Sequence, residues 1–215
     1  MVSTRLLKLI GVLALAGLAC GQEQTSKRGF GPNLNTLNAS DKVAPWTAKQ
    51  KYLEATKEAF DYGSFLVAGV FAGLSQLENQ FPEYGQGAKG YAKRYGSNFG
   101  DLAISTFLTK AVLPAALHED PRYYRLGQGG FKTRLRYVIG RTFITRKDNG
   151  RDGFNYSMVG GSAAAAAVSN IYYPAGSRNA ANAAQNWGLL LGANTGFNGL
   201  REFWPDIRKK VFKSK

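Results

Sequence analysis

Apolar residues along this chain recur at three- and four-residue spacing, in segments separated by glycine and proline. That is the pattern of amphipathic helices. Thr47 can cap a helix through about Phe60, with Tyr52, Leu53 and Ala59 among its apolar positions. Ser64 starts a second, Phe65 to Asn79, and Pro82 follows its end. A long third segment runs from about Gln86 to His118, with Asn98 or Asp101 as a restart. Pro114 should kink it, because proline lacks the N–H and clashes with the preceding turn. The fourth helix, Phe131 to Arg146, sets Phe131, Leu135, Val138, Ile139 and Thr142 on one face. The fifth, Ser157 to about Tyr172, stops at Pro174, and the sixth spans Asn179 to about Phe203. Trp204-Pro205 then opens a short basic tail helix. Strand-type alternation is rare. The chain therefore reads as all-α, a compact helical bundle of about six helices.

Small residues form ladders within this pattern. Ala180, Ala184, Gly188, Gly192 and Gly196 follow one another at intervals of four in the sixth helix. Glycine inside a helix costs about 1 kcal/mol relative to alanine, so such a row needs a reason. Shared spacing puts these positions on one face, where a second backbone can come close. Gly69 and Gly73 repeat the spacing in the second helix, and Gly96 and Gly100 in the third. The fifth offers two rows, Gly160–Ala164–Val168 and Gly161–Ala165–Ser169. A membrane-embedded glycine zipper is one reading. The polar decoration of the sixth helix by Asn182, Gln185, Asn186, Asn194 and Asn198 favours tight packing of a water-exposed bundle, or a face for homo-oligomers.

The first twenty residues change where the chain is placed. Arg5 and Lys8 precede an unbroken apolar run of eleven residues, Leu9 to Ala19. That is the layout of a secretory signal peptide, and it is too short for a membrane span. Cys20 is the only cysteine, which excludes intramolecular disulfides and cysteine-cluster metal sites. The stretch Leu15 to Gly21 resembles a bacterial lipoprotein signal, in which Cys20 becomes the lipidated N-terminus. Gly17 departs from that pattern, and ordinary cleavage after Ala19 or Gly21 is the alternative. The chain thus divides into a signal peptide (1–20), a flexible polar tether (21–44) and a helical domain (45–215). The expected location is the periplasm or outer membrane, with a lipid anchor where Cys20 is acylated.

Charge follows location. The chain carries 28 Lys and Arg against 14 Asp and Glu, a net +14. In an envelope the abundant anions are lipid head groups and glycans rather than nucleic acid. Nine basic residues fall between Arg122 and Arg151. Arg122, Arg125, Lys132, Arg134, Arg136 and Arg141 are the candidate anion-binding set, because long basic side chains can snorkel from a helix rim to anionic head groups. Tyr137 and Ile144 make the opposite face apolar too, which suggests a helix packed within the bundle whose arginines reach its rim; a solvated basic flank is the alternative.

Catalytic candidates are few. His118, the only histidine, can act as a general base near neutral pH. Glu119 or Asp120 could orient it, and Asp101 could meet it in space. The same cluster also reads as the end of a helix, where a histidine suits the negative dipole. No G-x-S-x-G nucleophile motif is present. One histidine cannot build a multi-histidine metal site. Asp148 to Gly153 resembles a calcium loop but has Gly150 at the third position and Val159 at the twelfth, so a helix–helix loop is the better reading. Gly127-Gln128-Gly129-Gly130 follows no strand and is a poor phosphate loop. No cofactor or metal is implied.

Phe99-Gly100-Asp101, His118 to Tyr124, Arg141-Thr142-Phe143 and Asn170 to Pro174 together resemble a family of uncharacterised exported bacterial helical proteins, from about Tyr84 to Trp204. The resemblance implies an exported helical domain and assigns no catalytic role. The expectation is a non-enzymatic envelope component whose basic rim contacts anionic lipid or glycan. The alternative is an envelope hydrolase or lipid-modifying enzyme using His118 with Asp120 or Glu119.

Overall fold

A computed structural model describes the backbone of residues 37–212 and the side chains of 37–209. The leader, Cys20 and most of the tether lie outside the described residues. The rest is all-α, with six long helices and little strand. The order is β1 (Leu37–Asn38), α1 (Ala48–Ala59), α2 (Tyr62–Leu77), α3 (Gly87–Phe107), a π-helical stretch (Leu108–Val112), α4 (Leu113–Ala116), β2 (Tyr124–Arg125), α5 (Phe131–Phe143), β3 (Ile144–Arg146), β4 (Asp152–Phe154), α6 (Tyr156–Ser169) and α7 (Ala180–Phe212). Among the described residues no helix is long and apolar enough to cross a membrane.

Local chemistry explains the helix starts. Thr47 and Gln50 form a reciprocal capping box at α1. Asp61, three residues ahead of Ser64, is the cap of α2 and accepts from the Ser64 N–H at 2.9 Å. Pro114 does not break its helix. The backbone widens into the π stretch just before it, where the Leu113 N–H reaches the Leu108 carbonyl, and then resumes as α4. Pro205 likewise lies inside α7, which runs on without a separate tail helix.

Helix α2 packs along α3, α3 and the π stretch pack on α6, and α7 covers α5 and α6. Two small sheets were not foreseen. β3 and β4 form an antiparallel hairpin pairing Ile144 with Phe154, so the fourth helix ends at Phe143 and the presumed helix–helix loop is a hairpin turn. β1 pairs in parallel with β2. Arg146 donates to the carbonyls of Ala39 and Asp41, and Arg122 to that of Ala44. The end of the expected tether, from Leu37 onward, is therefore strapped to the body.

The interior is unusually polar. Ala165, Ala166 and Leu190 form a small apolar core with Ile104, Leu108 and Trp187 packed on it. The largest fully buried side chains, however, include Arg94, Lys51, Glu119 and Glu202. Conversely Leu77, Ile171 and Phe131 are exposed at 85%, 73% and 66%. In α1 the expected apolar positions Tyr52 and Leu53 face solvent, and Lys51, Ala55 and Ala59 face inward.

The small-residue rows divide in the same way. Gly69 meets the Tyr91 hydroxyl and Tyr95 ring: an added Cβ would lie 3.3 and 3.5 Å from them. Gly161 is the tightest helix crossing of these rows, since its Cβ would sit 3.0 Å from Thr109 Cγ2 and 3.2 Å from the Leu108 carbonyl carbon. Gly73, Gly188 and Gly192 have nothing within 4 Å of such an atom. The α7 ladder, with Gly196 half-buried, thus does not make the close crossing expected at Gly188 and Gly192. Of the two rows in α6, Gly161–Ala165–Ser169 is buried and Gly160–Ala164–Val168 is exposed.

Candidate functional site

The four proposed catalytic side chains do not assemble. The sharp turn after α4 gives His118 a φ of +53° and leaves its side chain 84% exposed. Its Nδ1 lies 3.9 Å from Asp148 Oδ2, a carboxylate already held by the buried Lys51 ammonium at 2.8 Å. Glu119 points the other way. Its Oε2 accepts from the Ser157 N–H at 2.9 Å, satisfying one of the open donors at the start of α6. Asp120 accepts from Arg122 Nε at 2.8 Å, from Arg122 Nη2 at 2.5 Å and from the Tyr124 hydroxyl at 2.8 Å. Arg146 stacks on the Tyr124 ring at 3.9 Å. The Asp120 cluster is a saturated strut that clamps the chain after His118 to the hairpin. Among the described residues no three histidine, cysteine, aspartate or glutamate side chains are placed to hold a metal ion.

The anion-binding set splits into struts and rim. Arg134 is buried on the inner face of α5, where Nε donates to Glu202 Oε1 at 2.7 Å and Nη1 pairs with Asp206. Glu202, fully buried, also accepts from Tyr123 at 2.9 Å and from the Leu126 and Gly127 N–H groups at 3.0 and 2.9 Å. Burial raises the pKa of this carboxyl, but the Gly127 N–H, Arg134, Tyr123 and Leu126 outweigh it and hold it below its ordinary value. The glycine-rich loop before α5 contributes one N–H, that of Gly127, to this carboxylate, beside that of Leu126 just ahead of it. Arg141, only 9% exposed, pairs with Asp152 at 2.9 Å. Arg122 is taken by Asp120. These three are not a solvated rim, because their charges are spent on carboxylates within the protein. Arg125 is half-buried, and its buried Nε has no hydrogen-bond partner among the described residues. Lys132 and Arg136 are exposed and have no ion-pair or hydrogen-bond partner among the described residues.

Lys132 and Arg136 stand on the outer face of α5 among Phe131, Leu135, Ile139 and Phe143, which are 66%, 40%, 48% and 45% exposed. The inner face is Arg134, Val138 and Thr142. The apolar patch continues over the hairpin, where Ile144 and Phe154 are cross-strand partners and Tyr156 packs on Phe154 at 5.0 Å. Sequence reading set Phe131, Leu135 and Ile139 on one face with Val138 and Thr142; the structure separates the two groups. The strict four-residue spacing of the first group, with Phe143, was the available sign of a separate outer stripe.

Asp101 belongs to a different place. It lies on α3, buried, and accepts from the hydroxyls of Tyr172 and Tyr173, the latter at 2.7 Å, and from Asn186 Nδ2 at 3.1 Å. Burial pushes its carboxyl above the ordinary range despite these donors. Beside it opens a cleft of about 320 Å³ between α2, α3 and the first turns of α7. Asn182, Gln185 and Asn186, which looked like solvent decoration, line it. Compared with protein families, curated proteins and solved structures, the chain matches none.

Proposed function

We propose that the protein is a non-enzymatic bacterial envelope component that docks on anionic lipid through the outer face of α5. The observation that carries this reading is the co-location of an exposed aromatic and aliphatic stripe with the two unpaired cations Lys132 and Arg136. Contiguous exposed apolar surface of this kind marks interaction sites. An interfacial helix binds by burying such a face to the acyl boundary while its basic residues meet head groups. A glycan can partner the cations and lay a C–H face on Phe131 or Phe143, but it has no apolar interior into which the aliphatic Leu135 and Ile139 could be buried, so lipid is the better match. Export through the leader, with acylation of Cys20, would deliver the domain to that surface. Each buried CH₂ of an acyl chain contributes about 0.8 kcal/mol to anchoring. The enzyme reading has no matching support, since His118 faces solvent and its neighbours Glu119 and Asp120 are engaged elsewhere.

Co-sedimentation with phosphatidylglycerol and phosphatidylcholine vesicles tests the proposal. A basic side chain near an anionic surface contributes about 1 kcal/mol, so Lys132→Gln with Arg136→Gln should weaken binding to the anionic vesicles roughly 30-fold. Arg134→Gln is not a test of docking, because it unpairs Glu202. Equal binding to both vesicle types at low salt would count against the proposal. Concentration-dependent dimerisation without vesicle binding would point instead to self-association through the open Gly188–Gly192 face.

A further inference from the structure

We infer that the cleft beside Asp101 is a binding site for an uncharged saccharide of one or two rings. Its volume, about 320 Å³, lies at the low end of the roughly 300–1,000 Å³ of small-molecule sites. This inference is independent of lipid docking and rests on other residues.

Three observations converge. First, Ser75 lines the cleft, is only 5% exposed, and its Oγ has no hydrogen-bond partner. Buried hydroxyls are normally satisfied, so an orphan facing a cavity asks for a ligand or solvent partner. Second, the available polar atoms suit hydroxyl groups. Asp101 receives three donors, and a carboxylate can accept about four. Asn98 and Asn186 use their amide N–H groups on the Arg94 carbonyl and on Asp101 and Ser169. Their carbonyl oxygens remain for hydroxyl donors. Third, apolar surface faces these groups: Phe71, Leu74, Phe81, Tyr173 and Leu189. A sugar ring has the same two-sided character, with hydroxyls around its edge and C–H faces that lie on aromatic rings.

The turn that presents Phe81 is held against its own strain. Asn79 and Phe81 have φ of +47° and +53°, a region that non-glycine residues rarely adopt. The fully buried Arg94 guanidinium ties this turn down by donating to the carbonyls of Gln80, Phe81 and Gly85. Phe81 then meets the Tyr173 ring edge-on at 4.7 Å. Strain maintained in this way concentrates at binding sites. Charge selects the ligand. Glu78 and Asp101 line the cleft and no lysine or arginine does among the described residues, so an acidic sugar meets repulsion with no compensating cation.

Isothermal titration of the full chain with N,N′-diacetylchitobiose and with maltose, against glucuronate as an acidic counter-probe, tests this. We expect at least one of the uncharged disaccharides to bind with a dissociation constant under about 1 mM, and glucuronate not to bind. Ser75→Met should fill the cleft and abolish binding without lowering the melting temperature, because the serine hydroxyl gives up no bond. Gln185→Trp, at the exposed rim, should obstruct entry and weaken binding at least about tenfold even if Ser75→Met folds poorly. The inference is overturned if neither disaccharide binds with a dissociation constant under about 1 mM, if glucuronate binds as well as they do, or if Gln185→Trp and a folded Ser75→Met bind like wild type.

Discussion

Adding one methyl group should stabilise the protein at Gly192 and should not at Gly161. Both glycines lie inside helices, so alanine gains about 1 kcal/mol of helix propensity at either. At Gly192 nothing lies within 4 Å of the new Cβ, and the full gain should appear. At Gly161 the Cβ would be 3.0 Å from Thr109 Cγ2 and 3.2–3.3 Å from the Leu108 carbonyl group. The backbone atoms of the π stretch cannot rotate away as a side-chain tip can. Overpacking of this kind costs about 1–3 kcal/mol. The net expectation is a stabilisation of about 1 kcal/mol for Gly192→Ala and a change between zero and a loss of about 2 kcal/mol for Gly161→Ala. For a domain of this size 1 kcal/mol shifts the melting temperature by about 2–4 °C, well within reach of thermal or urea unfolding followed by circular dichroism. If Gly161→Ala is as stabilising as Gly192→Ala, α6 does not press on the π stretch and the packing described above is wrong.

Three further outcomes are expected. Glu202→Ala should destabilise by about 3 kcal/mol, because it removes the common acceptor of Arg134 Nε, Tyr123 and the Leu126 and Gly127 N–H groups while Arg134 keeps Asp206, and chemical denaturation would show it as a lower midpoint. Glu58 pairs with Lys110 and Arg201; burial raises its pKa but the two cations hold it at about 2. Its folded pKa is thus below its unfolded one, so its contribution is complete above the ordinary carboxyl range and is lost as pH falls towards 2; Glu58→Gln should flatten that part of a stability–pH curve. His118→Ala should change stability by no more than about 0.5 kcal/mol, and His118→Gly should be slightly more stable than His118→Ala, because glycine tolerates the φ of +53°.

Much of the helix order was legible because its punctuation is local. Thr47 with Gln50 acts within the first turn of the helix it bounds, whereas α6 ends at Ser169, five residues before the stop expected at Pro174. The facing of the helices was not legible. Periodicity marks a stripe but does not say which stripe is buried. In α5 the inner face is set by Arg134, whose partners Glu202 and Asp206 lie 68 and 72 residues away. No local spacing encodes that pairing, so Phe131, Leu135 and Ile139 were grouped on one face with the buried Val138 and Thr142. The hairpin escaped because its strands are three residues long, although Asn149-Gly150 is a favoured turn pair. Asp101 was singled out as chemistry, but as a partner of His118. Its actual partners, Tyr172, Tyr173 and Asn186, come from 71 to 85 residues downstream.

The proposed docking of α5 on lipid can be tested directly with an environment-sensitive fluorophore. Placed on Ile139→Cys in a Cys20→Ser background and mixed with phosphatidylglycerol vesicles at low salt, it should shift to the blue as the stripe enters the lipid boundary. The same label on Lys89→Cys, exposed at the start of α3, should stay in water, and phosphatidylcholine vesicles should shift neither. A label at residue 139 that keeps its aqueous spectrum on anionic vesicles, or that shifts equally on neutral ones, would contradict the account.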